Sequence, residues 1–92
     1  MSDTIDACNK IKNDDNSVRQ YDVTYTVEDP NDANRKNSFC VVVLAEEMAD
    51  PASATEAKTK ANAKAAAIKT DWLAQPVATS EDVASVVGSV TL

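Results

Sequence analysis

The chain has 92 residues, a formal charge of −6 and 43% hydrophobic residues, which fits one small domain, 1–92, near the lower limit of what a single core sustains. It has no histidine and one glycine, Gly88, so Ser-His-Asp and Cys-His nucleophiles, phosphate-binding loops and dinucleotide fingerprints are all excluded. Two cysteines with no histidine cannot make an ordinary structural zinc site, and the acidic balance opposes binding to nucleic acid or an anionic membrane.

Residues 3–12 admit two readings. Ser2 can cap a short helix with Asp3 and Asp6 in its first turn and Ile5, Cys8 and Ile11 on a loose face. The same letters alternate as an edge strand would. The helix is the preferred reading. "NDDNS" at 13–17 is a polar loop.

Residues 17–28, "SVRQYDVTYTVE", form a strand: Tyr21, Val23, Tyr25 and Val27 alternate with polar residues, so one face is wet. Residues 29–37 read as a projecting connector with turn chemistry at Asp29, Pro30 and Asn31. "SFCVVVLA", 38–45, is apolar on both faces and reads as the central strand, with Cys40 as a small buried residue. A bridge between Cys8 and Cys40 is the minority reading; free thiols in a reducing, cytosolic setting are expected.

A long helix follows. Asp50 with Pro51, or Ser53 with Glu56 one turn later, marks its start, and Gln75 with Pro76 stops it. Ala54, Ala57, Ala61, Ala65, Ile68 and Trp72 share one stripe. An alanine face permits close approach to a valine-rich sheet, with Ile68, Trp72 and Leu73 anchoring the C-terminal end and the N-terminal half weakly held by its own sheet or held by another copy. Residues 79–92 alternate as a strand, with Ala84, Val86, Val90 and Leu92 on one face; a helix capped at Ser80 and ending at Gly88 is the competing reading.

The expected fold is α+β: a three-stranded sheet with one long alanine-rich helix packed on one face, in the order (α)ββαβ. The N-terminus lacks the positive-then-apolar order of a signal peptide, and no stretch has the roughly 18 apolar residues needed to span a bilayer.

Candidate chemistry is thin. Asn13–Asn16 with Asp29, Asn31 and Asp32 offers oxygen ligands of the kind calcium takes, but without the EF-hand glycine and final acid; solvated loops are the plainer reading. Lys58, Lys60, Lys64 and Lys69 spread over both flanks of the helix and read as solvated or paired with acids. Tyr21, Tyr25 and Trp72 read as core rather than as a ligand pocket. Neighbouring Glu46 and Glu47 point to opposite sides and make a poor acid–base pair.

The expectation is therefore a non-catalytic structural subunit with no cofactor, no metal, no small-molecule substrate and no nucleic-acid or membrane partner. It would assemble with copies of itself or with other subunits of a particle built in the cytoplasm, a phage or virus head or tail component being the leading example. The residues expected to carry contacts are Val42, Leu44, Val86, Val90 and Leu92 on the sheet edge and uncovered sheet face. The alternative is an adaptor or inhibitor that presents the 29–37 loop through Pro30, Asn31, Arg35 and Lys36.

Overall fold

A computed structural model describes residues 3–92. Strands β1 (Thr4–Lys12), β2 (Val18–Asp29) and β3 (Asp32–Leu44) form an antiparallel sheet in the order β1-β2-β3. A short 3-10 turn at Ala45–Glu47 leads to helix α1 (Ala54–Leu73), and residues 74–92 form an arm whose one local feature is a 3-10 turn at Ala84–Val86. The α+β class, the three-stranded sheet and the single helix on one face are as expected.

The order of elements differs: it is βββα. Residues 4–12 are a strand, not a helix, and the Ser2 cap lies outside the described residues. A helix this short is marginal alone, whereas as β1 the segment pairs with β2 from Thr4↔Thr26 to Lys12↔Val18. The polar loop makes this possible. Asn13 N–H donates to the Ser17 carbonyl, Asn16 N–H donates to the Asn13 carbonyl, and Asn16 takes a positive φ of 75°, which asparagine tolerates. Because β1 fills the place beside β2, residues 79–92 are not the third strand.

This arrangement also moves the centre of the sheet. β2 is central and β3 is an edge, so 38–45 is not the middle strand. The 29–37 connector is shorter than expected as well. Pro30 and Asn31 alone turn the chain, Asp29 pairs with Asp32, and Ala33, Asn34 and Arg35 bulge before regular pairing resumes at Glu28↔Lys36.

The core lies between α1 and one sheet face. Three rows cross that face: Ile5–Tyr25–Phe39, Cys8–Val23–Val41 and Lys10–Tyr21–Val43. Ala57, Ala61 and Ala65 are buried against them, and Val23 and Val43 are the largest side chains to be fully enclosed. With no side chain beyond Cβ, these alanines let the helix sit close to the valines. The helix begins at Ser53, whose hydroxyl accepts the Glu56 N–H, so the second of the two expected starts is used. Packing is tightest in the first two-thirds of α1, where weak hold was expected, while of the expected C-terminal anchors Trp72 and Leu73 are half-buried. Ile68 remains 38% exposed because β3 presents Asn37 and Arg35 at that end instead of valine.

Candidate functional site

Because side chains alternate along a strand, burying Val41 and Val43 under α1 turns Cys40, Val42 and Leu44 to the back face, where all three are exposed. Cys40 is thus not the buried residue its apolar neighbours suggested. Cys8 lies on the helix side, so the two thiols occupy opposite faces, and both are free.

Most of the remaining back face is polar. Asp6 accepts from the Thr4 and Thr26 hydroxyls, Thr26 bonds to Ser38, and Gln20 donates to Asp22, which gives a band of side-chain bonds across the strands. Those hydroxyls hold the Asp6 carboxyl below its ordinary range, that of Thr26 most strongly. The face that lacks a covering helix is therefore apolar mainly along its β3 margin, at Cys40, Val42 and Leu44.

The two sheet edges differ. β1 carries irregularities between Ile5 and Ala7 and between Ile11 and Lys12, with Lys10 and Lys12 along it. Bulges and lysines blunt an edge against pairing with another chain. β3 pairs with β2 without interruption from Lys36 to Leu44, and among the described residues no strand covers its outer side. At its far end the edge is closed. The Lys64 ammonium donates to the Val42 carbonyl at 3.1 Å, and Glu47 accepts the Leu44 N–H at 2.7 Å while pairing with Lys64 at 2.7 Å. Lys64, followed by the Leu44 N–H, holds Glu47 below the usual glutamate value. Glu47 is thereby committed to structure, and no acid–base pair with Glu46 exists.

These contacts also fix which groups point outward. Val42 and Leu44 direct backbone groups away from β2, so by alternation Lys36, Ser38 and Cys40 do the same. The open part of the edge is the Lys36–Cys40 stretch.

The arm offers apolar surface without cover. Every residue in 74–92 is exposed, and Val77, Val83, Val86, Val87, Val90 and Leu92 show between 56% and 110% of their reference surface. It leaves α1 beside the β2–β3 turn. There Arg35 donates to the Trp72 carbonyl at 3.2 Å and to the Gln75 carbonyl at 2.9 Å, and pairs with Asp29 at 3.0 Å.

The expected contact residues thus separate. Val42 and Leu44 lie on the β3 margin, and Val86, Val90 and Leu92 lie on the arm. Pro30, Asn31 and Lys36 are exposed near the turn, while Arg35 is half-buried and engaged. Nothing in the sequence marked the Arg35 clamp, because its partners are backbone carbonyls and a ring some forty positions away.

Other candidate chemistry does not assemble. The 13–16 and 29–32 loops sit at opposite ends of β2, a strand roughly 40 Å long at about 3.4 Å per residue, and cannot share an ion. Among the described residues no cluster of histidine, cysteine or carboxylates is arranged to hold a metal. Lys60, Lys64 and Lys69 pair with Glu56, Glu47 and Asp3. Tyr21 and Tyr25 are core, and the Tyr25 hydroxyl donates to Asn62 at 2.7 Å. A groove of about 350 Å³ lies between β1 and the start of α1, lined by Ile5, Cys8, Val23, Ala54 and Lys58. No described helix is long and apolar enough to cross a membrane.

No family model matches the chain, and no curated protein or solved structure is significantly similar to it.

Proposed function

We propose that this chain is a non-catalytic assembly subunit that joins copies of itself, or other subunits, into a multisubunit particle. A head or tail component of a phage or virus, assembled in the cytoplasm, is the leading example. The observation that carries the reading is the arm, with its six large apolar side chains in solvent. Apolar surface is unfavourable in water at about 25 cal/mol per Å², and six exposed large apolar side chains within one short segment supply the surface an interaction site needs. The small-residue core and the open β3 margin support the same reading, since both leave the chain with surface to gain from a neighbour.

Light scattering and sedimentation of the full chain test it. A defined oligomer or large particle is expected in the micromolar range, with a return to monomer on Val86→Asp combined with Val90→Asp. These positions are exposed, so the variant keeps the wild-type circular dichroism. A wild-type chain that remains a monomer throughout that range rejects the reading.

The adaptor reading has less behind it. Of the residues that would face a partner, Arg35 is already committed to Asp29, Trp72 and Gln75, which leaves Pro30, Asn31 and Lys36.

A further inference from the structure

We propose that the arm of one copy adds to the open edge of β3 in a second copy, running parallel to β3, with Asp82 beside Lys36 and Val86 beside Cys40. This rests on the assembly reading and names its donor and acceptor.

The acceptor follows from the contrast between the two edges. β1 is protected by irregularity and lysines, whereas β3 is regular over Lys36–Leu44 and offers outward backbone groups that another strand can pair. The donor follows from exposure and pattern. The arm starts beside Asp32–Lys36 but pairs with no strand of its own chain, and once the 3-10 turn at Ala84–Val86 opens into a strand, alternate residues Asp82, Ala84, Val86, Gly88 and Val90 form one side of it. The back-face residues of β3 are Lys36, Ser38, Cys40, Val42 and Leu44. Set side by side in parallel, these two rows match acid to base at one end and apolar to apolar where Val86 meets Cys40 and Val90 meets Leu44, with Gly88 beside Val42. An antiparallel arm over the same span would bring Asp82 against Leu44, close to Glu46 and Glu47, and would leave Val90 against Lys36. Like charge and mismatched polarity both oppose that arrangement.

Length agrees as well. Residues 82–90 and 36–44 are equal runs, each roughly 30 Å as strands. The capped groups of Val42 and Leu44 limit backbone pairing to the Lys36–Cys40 stretch, and beyond it the contact passes to side chains, with Val90 on Leu44. On the other side of the arm, Val87 would stand beside Val41, with Ser85 beside Phe39 and Val83 beside Asn37. Each copy has one donor arm and one acceptor edge on different surfaces. The contact therefore builds a ring or an open chain, or a closed pair where two copies exchange arms.

Cysteine cross-linking of the full chain tests donor, acceptor and polarity together. In a Cys8→Ser, Cys40→Ser background, Ala84→Cys is combined with either Ser38→Cys, its neighbour in the parallel arrangement, or Val42→Cys, its neighbour in the antiparallel one. All of these positions are exposed. A short thiol-reactive cross-linker should give covalent dimers or a ladder of multimers, with links from 84 to 38 several-fold more abundant than links from 84 to 42. Links from 84 to 42 in equal or greater amount would overturn the parallel arrangement. Links within one chain would overturn the second copy as occupant. Absence of either link, with wild-type association intact by light scattering, would overturn the inference and leave the assembly reading standing. A wild-type chain that never associates removes both.

Discussion

The Arg35 guanidinium lies 4.8 Å from the centre of the Trp72 ring and at the same time donates to the carbonyls of Trp72 and Gln75. One side chain from the β2–β3 turn thus caps the C-terminal end of α1, where carbonyls lack intrahelical partners and a positive charge is favoured. It also sets where the arm departs. Trp72 is the one tryptophan of the chain, so its emission reports on this clamp directly. Arg35→Ala should red-shift that emission and lower unfolding stability by about 1–2 kcal/mol, from the cation–π contact and the carbonyl bonds. Arg35→Lys keeps the charge but loses the planar fork, and should recover only part of the loss. Unchanged emission in Arg35→Ala would mean the clamp is not formed in solution.

The close approach of α1 to the sheet makes a second prediction. Ala61 is fully enclosed, with Val23, Val41 and Val43 in the same cluster, whereas Ala63 on the far side of the helix is exposed. Ala61→Leu forces the helix off the valines and should cost about 1–3 kcal/mol, while Ala63→Leu should change stability by less than about 0.5 kcal/mol. Urea unfolding of the two variants side by side checks this; equal midpoints would contradict the packing.

Three ion-paired carboxylates predict the response to acid. Lys69, then the Glu28 N–H, holds Asp3 below its ordinary 3.8. The Asn31 N–H, then Arg35, does the same for Asp29, and Lys64 does so for Glu47, below its ordinary 4.5. Each group binds its proton more weakly in the folded chain, so the unfolded chain takes up more protons as the solution is acidified. The stabilisation is complete above the ordinary carboxylate values and is lost as pH falls through the lower folded ones. The urea midpoint should be level from neutrality down to about pH 5.5 and fall below about pH 4, and Asp3→Asn with Glu47→Gln should flatten that fall. A midpoint that holds level at about pH 3 in the wild-type chain would contradict the pairing.

How far the sequence carried the fold depended on whether a signal was local. β2 was legible because period-two alternation with one wet face has no helical counterpart, and α1 because an alanine stripe with a serine cap and a terminal proline is self-contained. Residues 4–12 were not, since two isoleucines and a cysteine fit either period, and pairing with β2 decided the matter. β3 misled for a related reason. Apolar residues at both parities signal burial on both faces, yet at an edge one parity faces the helix and the other faces outward, so Cys40, Val42 and Leu44 are exposed. Val42, Leu44, Val86 and Val90 were legible as apolar residues without cover from the chain's own helix, and all four are exposed. That they fall on two separate elements, an edge and an arm, followed only once β1 had taken the third place in the sheet.

The cap on β3 gives the last prediction. Lys64 and Glu47 occupy the outward groups of Val42 and Leu44 and so end the open edge near Cys40. If that edge accepts a neighbour's arm, lengthening it should strengthen association. Lys64→Ala combined with Glu47→Ala frees one carbonyl and one N–H that another strand can pair, and removes one charge of each sign. Lys12→Ala combined with Asp14→Ala makes the same change in charge at exposed positions by the β1–β2 turn. The first variant should associate at lower concentration than the wild-type chain, or form longer assemblies, as light scattering across a dilution series would read, while the second should match the wild type. If the two variants behaved alike, the edge of β3 would not be where copies meet, and the site would have to be sought on the flank between β1 and α1.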